Sequence, residues 1–431
     1  MLNIRNVRNA LIACVYTTMF ILIYKYYLNP TFEYAHYNLL DRSGLSLLLA
    51  GVIAIIPVFF YKEMKEISSF IAILIYALCY VPAIIMLLLS LDKDVSEVLE
   101  IQIALMFGMV LFFLMDRIIL RNVDWKIGRQ LSIQFLHIAT FIFTTVVIYT
   151  YAGHMRLVGF ADVYDLRLEN NEIQMNVAVG YVVMWLTYCL YPLYLVLGIT
   201  NRNRIYFLCA CLGNVIIYMS TGAKASLLSP FIILCMYVLL KIKGDFLPNL
   251  LLILSGVSLF LLFVAPADNV VFLWARSILF ARTMGTEGWS IYTYYEFFTA
   301  NKLTYFSHIS FINAITHSYP YGSLSLGQVI GVEYSGSEVA NFNANFWASD
   351  GIASLGIPGI YFMNFVIAFF LVFINHITRK FDTKFICLCF TSFVLAMLNI
   401  PFLTALVSGG GLLTIVIILG IDIKAPLKSG I

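Results

Sequence analysis

The chain has 431 residues, of which 61% are hydrophobic and 11% charged, with a formal net charge of +3; its mean hydropathy is +0.91. A soluble protein carries about 25% charged residues, and less than half of that cannot coat its surface, so lipid is the solvent for most of this chain. The small net charge, with no Lys/Arg block carrying interleaved aromatics, excludes DNA and RNA as partners.

An open sheet edge cannot sit in hydrocarbon, so spanning segments are helices or strands of a closed barrel. The apolar runs here are solid rather than alternating, which predicts helices. A spanning length of about 20 residues places them at 10–28, 43–61, 67–91, 98–115, 131–151, 177–199, 205–221, 225–241, 246–265, 356–377, 385–401 and 404–421. The expected fold is all-α, a polytopic membrane bundle of about twelve transmembrane helices. Pro401 and the Ser408-Gly409-Gly410-Gly411 run shorten the last two. Arg5 and Arg8 precede the first span without a small-residue cleavage site, the pattern of an uncleaved anchor. All eight cysteines fall inside apolar runs and read as small buried hydrophobes. Cys209/Cys211 and Cys387/Cys389 form C-x-C pairs, but residues two apart on a helix point about 200° apart, a poor metal clamp.

The basic residues orient the spans. With the N-terminus inside, seventeen Lys and Arg lie on the inner side and nine on the outer: Lys25, Arg42, Lys93, Arg156, Arg167, Lys224, Arg276, Arg282 and Lys302. The positive-inside rule therefore places both termini in the cytoplasm. The inner loops are too short to hold a domain, so any chemistry happens in the membrane or on the far face. Two outer segments are long, 152–176 and 266–355. The second is too apolar for a flexible linker and too charged to span, which predicts short amphipathic or re-entrant helices. The chain thus divides into nine spans over 1–265, an outer loop over 266–355 and three spans over 356–431. No internal repeat is evident.

Nine cations on the outer rim run against the bias that sets the topology and need a reason. Arg276 and Arg282 in WARSILFAR and Lys224 in TGAKASLLSP sit among apolar residues, where a phosphate partner stabilises a guanidinium through paired hydrogen bonds. Snorkelling to lipid headgroups is the plainer reading of any one of them; with Arg167 they suggest an anion site. Positions 276 and 282 lie about 120° apart on a regular helix, so they share a ligand only if the helix bends between them. Trp289, Tyr292, Tyr294, Tyr295, Phe297 and Phe298 read either as an interfacial belt or as sugar-stacking faces.

His308, among aromatics and small polar residues, has the right ordinary pKa for a general base, or is a satisfied hydrogen-bonding group. Asn341, Asn343, Asn345 and Asp350 precede a span and suit sugar hydroxyls, with Asp350 as a helix N-cap the plain alternative. Gly351, Gly356 and Gly359 permit a tight turn into the bilayer. No G-x-x-x-x-G-K-[ST], G-x-S-x-G or H-E-x-x-H occurs, so there is no sign of ATP use or of those hydrolase sites. Asp92-Lys93-Asp94 is formally D-x-D but falls in the short turn between two spans.

In topology over most of the chain, and most specifically over residues 274–359, the sequence resembles the Wzy-type O-antigen polymerases, the oligosaccharide repeat-unit polymerases. The resemblance is carried by WARSILFAR, YTYYEFF, FSHISFIN, NANFWASDGIASLGIPG and TGAKASLLSP. The R-x15-G spacing of some members is absent: Val183 stands sixteen residues after Arg167 and Tyr292 sixteen after Arg276. The resemblance implies a GT-C-like membrane glycosyltransferase of the bacterial inner membrane, active on the periplasmic face. Its substrate would be an undecaprenyl-pyrophosphate-linked oligosaccharide, with membrane lipid and a chain-length regulator protein as further partners. A glycosyl pyrophosphate is already activated, so neither nucleotide nor metal cofactor is needed.

On this reading Arg276, Arg282, Arg167 and Lys224 bind the pyrophosphate, and His308 takes the acceptor proton, with Asp350 as competing base or orienting partner. Trp289, Tyr295, Asn341 and Asn345 hold sugars. Two rivals are an O-antigen ligase, which differs in its acceptor, and a lipid-linked oligosaccharide flippase. A flippase should show repeated halves and cations within its spans.

Overall fold

The protein is described by a computed structural model over residues 4–120, 133–159, 162–163, 166, 169, 177–337 and 339–420. Arg167 and most of the 152–176 segment lie outside the described residues, as do Arg121, Lys126, Arg129, Lys424 and Lys428. The described chain is helical throughout, with no strand. Eight of its helices are long and apolar enough to cross a membrane: Ile4–Ala35, Ile67–Ser90, Val95–Arg117, Val177–Thr200, Arg204–Thr221, Phe246–Val264, Ile357–Thr378 and Phe402–Gly420. Apolar helices of 10–17 residues, at Gly44–Phe60, Leu136–Tyr151, Lys224–Leu239 and Thr383–Met397, fall on the other four expected segments. The protein is therefore a helical, membrane-embedded bundle.

Contacts group the chain into two compact units that interleave in sequence. The first comprises 1–120, 243–375 and 398–402; the second 121–242, 376–397 and 403–431. Residues 266–355 belong wholly to the first unit and do not form a body of their own.

In the first unit the Ile67–Ser90 helix is central, its spanning window wholly buried. Prolines interrupt its ladder and that of its neighbour, because proline lacks an N–H and its ring displaces the carbonyl four residues back. Pro82 follows a widened π-type turn, Tyr76–Tyr80, and Pro57 lies near the end of Gly44–Phe60. The freed carbonyls are met by tyrosine hydroxyls: Tyr16 donates to Ala77 O at 2.6 Å and Tyr80 to Ile53 O at 2.7 Å. With no water in the bilayer, such side chains are what allow proline in a span.

The same logic explains two of the outer cations. Arg42 donates to the carbonyls of Leu88, Leu91 and Lys93 at 3.0, 2.7 and 2.9 Å. Arg276 donates to Leu261 O and Ala265 O at 2.7 and 2.6 Å, with a longer contact to Ala267 O at 3.5 Å. Each guanidinium closes the carbonyl end of an apolar helix, where the backbone dipole is negative and the last carbonyls lack partners. At the opposite end of this unit, Arg5 pairs with Asp245 at 2.7 Å, and Asp245 also accepts from Tyr61.

The second unit pairs Val177–Thr200 with Arg204–Thr221 through a tight turn. Asn203 Oδ1 accepts from the backbone of Ile205 and Tyr206 at 3.0 and 3.2 Å, capping the second helix. Glycines let the pair close: a Cβ on Gly213 would lie 2.1 Å from the Tyr191 ring. The Ser408–Gly410 break persists, with Gly410 at φ 79°, between Phe402–Val407 and Gly411–Gly420.

Candidate functional site

The first unit contains a short helical hairpin formed by Ala348–Leu355 and Ile357–Thr378. Its hinge is Gly356, at φ 67° and ψ −148°, a region open essentially only to glycine. Beyond it the two helices touch backbone to backbone. A Cβ on Gly359 would lie 1.9 Å from Gly351 O, and one on Gly351 would lie 2.6 Å from Gly359 O. The DGIASLGIPG glycines thus build a tight helical hairpin.

Both ends of the Ala348–Leu355 helix are closed by polar groups. Asn345 Oδ1 accepts from Trp347 N and Ser349 N at 3.1 and 3.2 Å, and Asn345 N donates to Ser349 Oγ at 2.7 Å. Trp347 anchors that end by donating from Nε1 to Asn364 Oδ1 at 2.6 Å. At the far end Thr304 N donates to Ala353 O at 2.8 Å and Tyr305 N to Ser354 O at 3.1 Å. The docking loop is strained: Tyr305 and Phe306 are consecutive non-glycine residues with φ of 49° and 63°, costing about 1–2 kcal/mol each. Strain of this kind persists where the surroundings hold it, often at functional sites.

That loop delivers His308 onto Asp350. His308 Nε2 lies 2.9 Å from Asp350 Oδ1, with side chains 2% and 1% exposed. His308 Nδ1 lies 2.9 Å from Thr304 Oγ1, which also donates to Ala353 O at 3.0 Å. Phe402 N donates to Asp350 Oδ2 at 3.3 Å. Asp350 stands in the first turn of its helix, where a negative charge is favoured, but it caps no N–H there. The structure brings His308 and Asp350 together. Both imidazole nitrogens have partners, Asp350 at Nε2 and Thr304 at Nδ1.

The other expected site residues divide. After Arg276, 7% exposed, the helix widens into a π-type turn over Ser277–Gly285, which contains exposed Arg282. Arg276 is engaged by the three carbonyls; Arg282 lies close enough to Tyr37 to act on its phenol electrostatically. Lys224 opens the Lys224–Leu239 helix of the second unit, half-buried.

Trp289 is 5% exposed, donates to Ala35 O at 2.7 Å and packs edge-on to Phe342 at 4.8 Å. It has no free face on which a sugar could stack in this arrangement. The aromatics of the Thr286–Ala300 helix are buried core residues, neither belt nor open platform, because this helix packs against the central helix and the hairpin. Asn345 is committed as a cap. Asn341 is exposed, its carbonyl oxygen over Gly327, where a Cβ would lie 2.0 Å away. Tyr295 borders a cavity of about 300 Å³.

Three groups were not singled out from sequence. Thr304 reads as an ordinary loop residue. Glu287 is 1% exposed, and neither carboxyl oxygen has a hydrogen-bond partner among the described residues. Burial raises its pKa well above the ordinary carboxylate value, against a smaller lowering by the neighbouring Asn345 amide. Its only sequence signal was an acid in the first turn of an aromatic helix. Glu100, on the Val95–Arg117 helix, lines the cavity. Comparison with known proteins finds no matching family model, no matching curated protein and no matching solved structure.

Proposed function

We propose that the chain is a membrane glycosyltransferase of the Wzy type, with twelve spans in a GT-C-like arrangement. It would polymerise undecaprenyl-pyrophosphate-linked oligosaccharide repeat units at the periplasmic face of a bacterial inner membrane, with both termini in the cytoplasm. The observation carrying this reading is the His308–Asp350 pair: two ionisable side chains at 2.9 Å, almost wholly buried, held by a strained loop at a tight helical hairpin beside a cavity. Buried ionisable groups in a membrane protein are costly and mark function by default.

The transfer asks the protein to hold a diphosphate, to hold an acceptor sugar and to move one proton. Arg282, exposed and without a hydrogen-bond partner among the described residues, supplies the first contact to phosphate. Arg276 holds the backbone from which that helix departs. Lys224 and Arg167 remain candidates for phosphate contact on the sequence reading alone. His308 and Asp350 fix the hairpin that borders the cavity, so their part is positioning. A chain-length regulator would act from outside this unit.

The test is the surface polysaccharide of a strain lacking the chain. Polymerase loss leaves a single repeat unit on the lipid A core, and the wild-type chain restores a ladder. Ligase loss leaves no glycan on the core and strands it outside, whereas flippase loss traps precursor inside; either result would overturn the proposal.

A further inference from the structure

The cavity beside the hairpin has a wall chemistry suited to one kind of occupant. Phe298, Ile352 and Pro358 supply apolar surface; Tyr295, Thr299 and Glu100 bring the polar groups. Its volume, about 300 Å³, falls at the low end of small-molecule sites, which are commonly apolar with a few convergent polar groups. A pyranose ring presents one apolar face and a rim of hydroxyls, matching such a wall.

The two acids nearby differ. Glu97 and Glu100 are three apart on one helix and share a face. Tyr295 Oη donates to Glu97 Oε2 at 3.4 Å. Glu100 is exposed, and no hydrogen bond or ion pair engages its carboxylate among the described residues. Meanwhile both nitrogens of His308 and both oxygens of Asp350 are occupied. Ile352 and Gly356 put this cavity on the helix that carries Asp350.

Resting on the polymerase reading, we propose that the cavity is the acceptor-sugar subsite and that Glu100 is the general base. The acceptor hydroxyl gives its proton to the Glu100 carboxylate as its oxygen bonds to the donor's anomeric carbon. The bond from that carbon to pyrophosphate breaks, its electron pair leaving with the phosphate oxygen, and Glu100 releases the proton to water. No other reactant is required.

The experiment uses the full chain in lipid vesicles with synthetic undecaprenyl-pyrophosphate repeat units. Positioned bases contribute about 10²–10⁴-fold, so Glu100→Gln should lower kcat at least about 100-fold. KM for the acceptor should change less than about threefold, and Glu100→Asp should recover part of the rate. Wild-type kcat in Glu100→Gln, or a loss confined to KM, overturns the base assignment while leaving the polymerase reading standing. Absence of polymer from the wild-type chain overturns both.

Discussion

His308 Nε2 and Asp350 Oδ1 stand 2.9 Å apart with almost no solvent contact, joining a strained loop to the short helix of a tight hairpin. Breaking a buried pair on one side leaves an uncompensated polar or charged partner, at a cost of about 3–5 kcal/mol. Asp350→Ala and His308→Ala should therefore lower the unfolding temperature of the purified protein markedly, and Asp350→Asn by less. Equal thermal stability for wild type and Asp350→Ala would remove the pair from the account of the fold.

Gly359 and Gly351 permit the hairpin through backbone contact, so a single methyl should matter. Gly359→Ala places a Cβ 1.9 Å from Gly351 O, a clash that backbone cannot relieve cheaply. Gly256→Ala, where nothing lies within 4 Å, is the control. The first should lose folded yield and thermal stability; the second should keep both.

Glu287 gives a pH prediction. Its pKa is raised in the folded protein by burial, so above the ordinary carboxylate value the unfolded chain has released a proton that the folded chain still holds. The folded state then binds more protons, and stability falls as pH rises from the unfolded value toward the raised folded one. Glu287→Gln, which mimics the neutral acid, should flatten that decline when unfolding temperature is followed from acid to neutral pH. An unchanged pH slope would mean that another group sets it.

The two arginines of WARSILFAR should separate in kind. Arg276→Ala orphans the carbonyls of Leu261 and Ala265, costing about 1–3 kcal/mol for each buried group left unsatisfied. Arg282→Ala, at an exposed position, should change stability within about 0.5 kcal/mol. It should nevertheless cut turnover about 10- to 100-fold, the size of a charge-assisted phosphate contact. Thermal shift and turnover measured on the same preparations distinguish the two patterns.

Much of the fold was legible because solid apolar runs and the glycines at 351, 356 and 359 act locally. The pairing of Asp350 with His308 was one of two options that residue types allowed. Less legible was what long-range packing decides. Arg276 looked like a ligand or a snorkelling cation, and Arg42 was one of nine outer cations in need of a reason, because sequence does not reveal which helix ends beside them. Trp289 and its neighbours looked like a surface because their helix is too polar for a span, yet it is buried by the central helix and the hairpin. Glu287 gave only the weak signal of a first-turn acid and Glu100 none, since burial of one and a cavity beside the other arise only on folding.

The most direct test is turnover by the purified chain in vesicles supplied with one defined undecaprenyl-pyrophosphate repeat unit and no nucleotide. The account predicts a ladder of lipid-linked glycans with release of undecaprenyl pyrophosphate. Unchanged single units, with the protein folded and the substrate on the correct face, would contradict it.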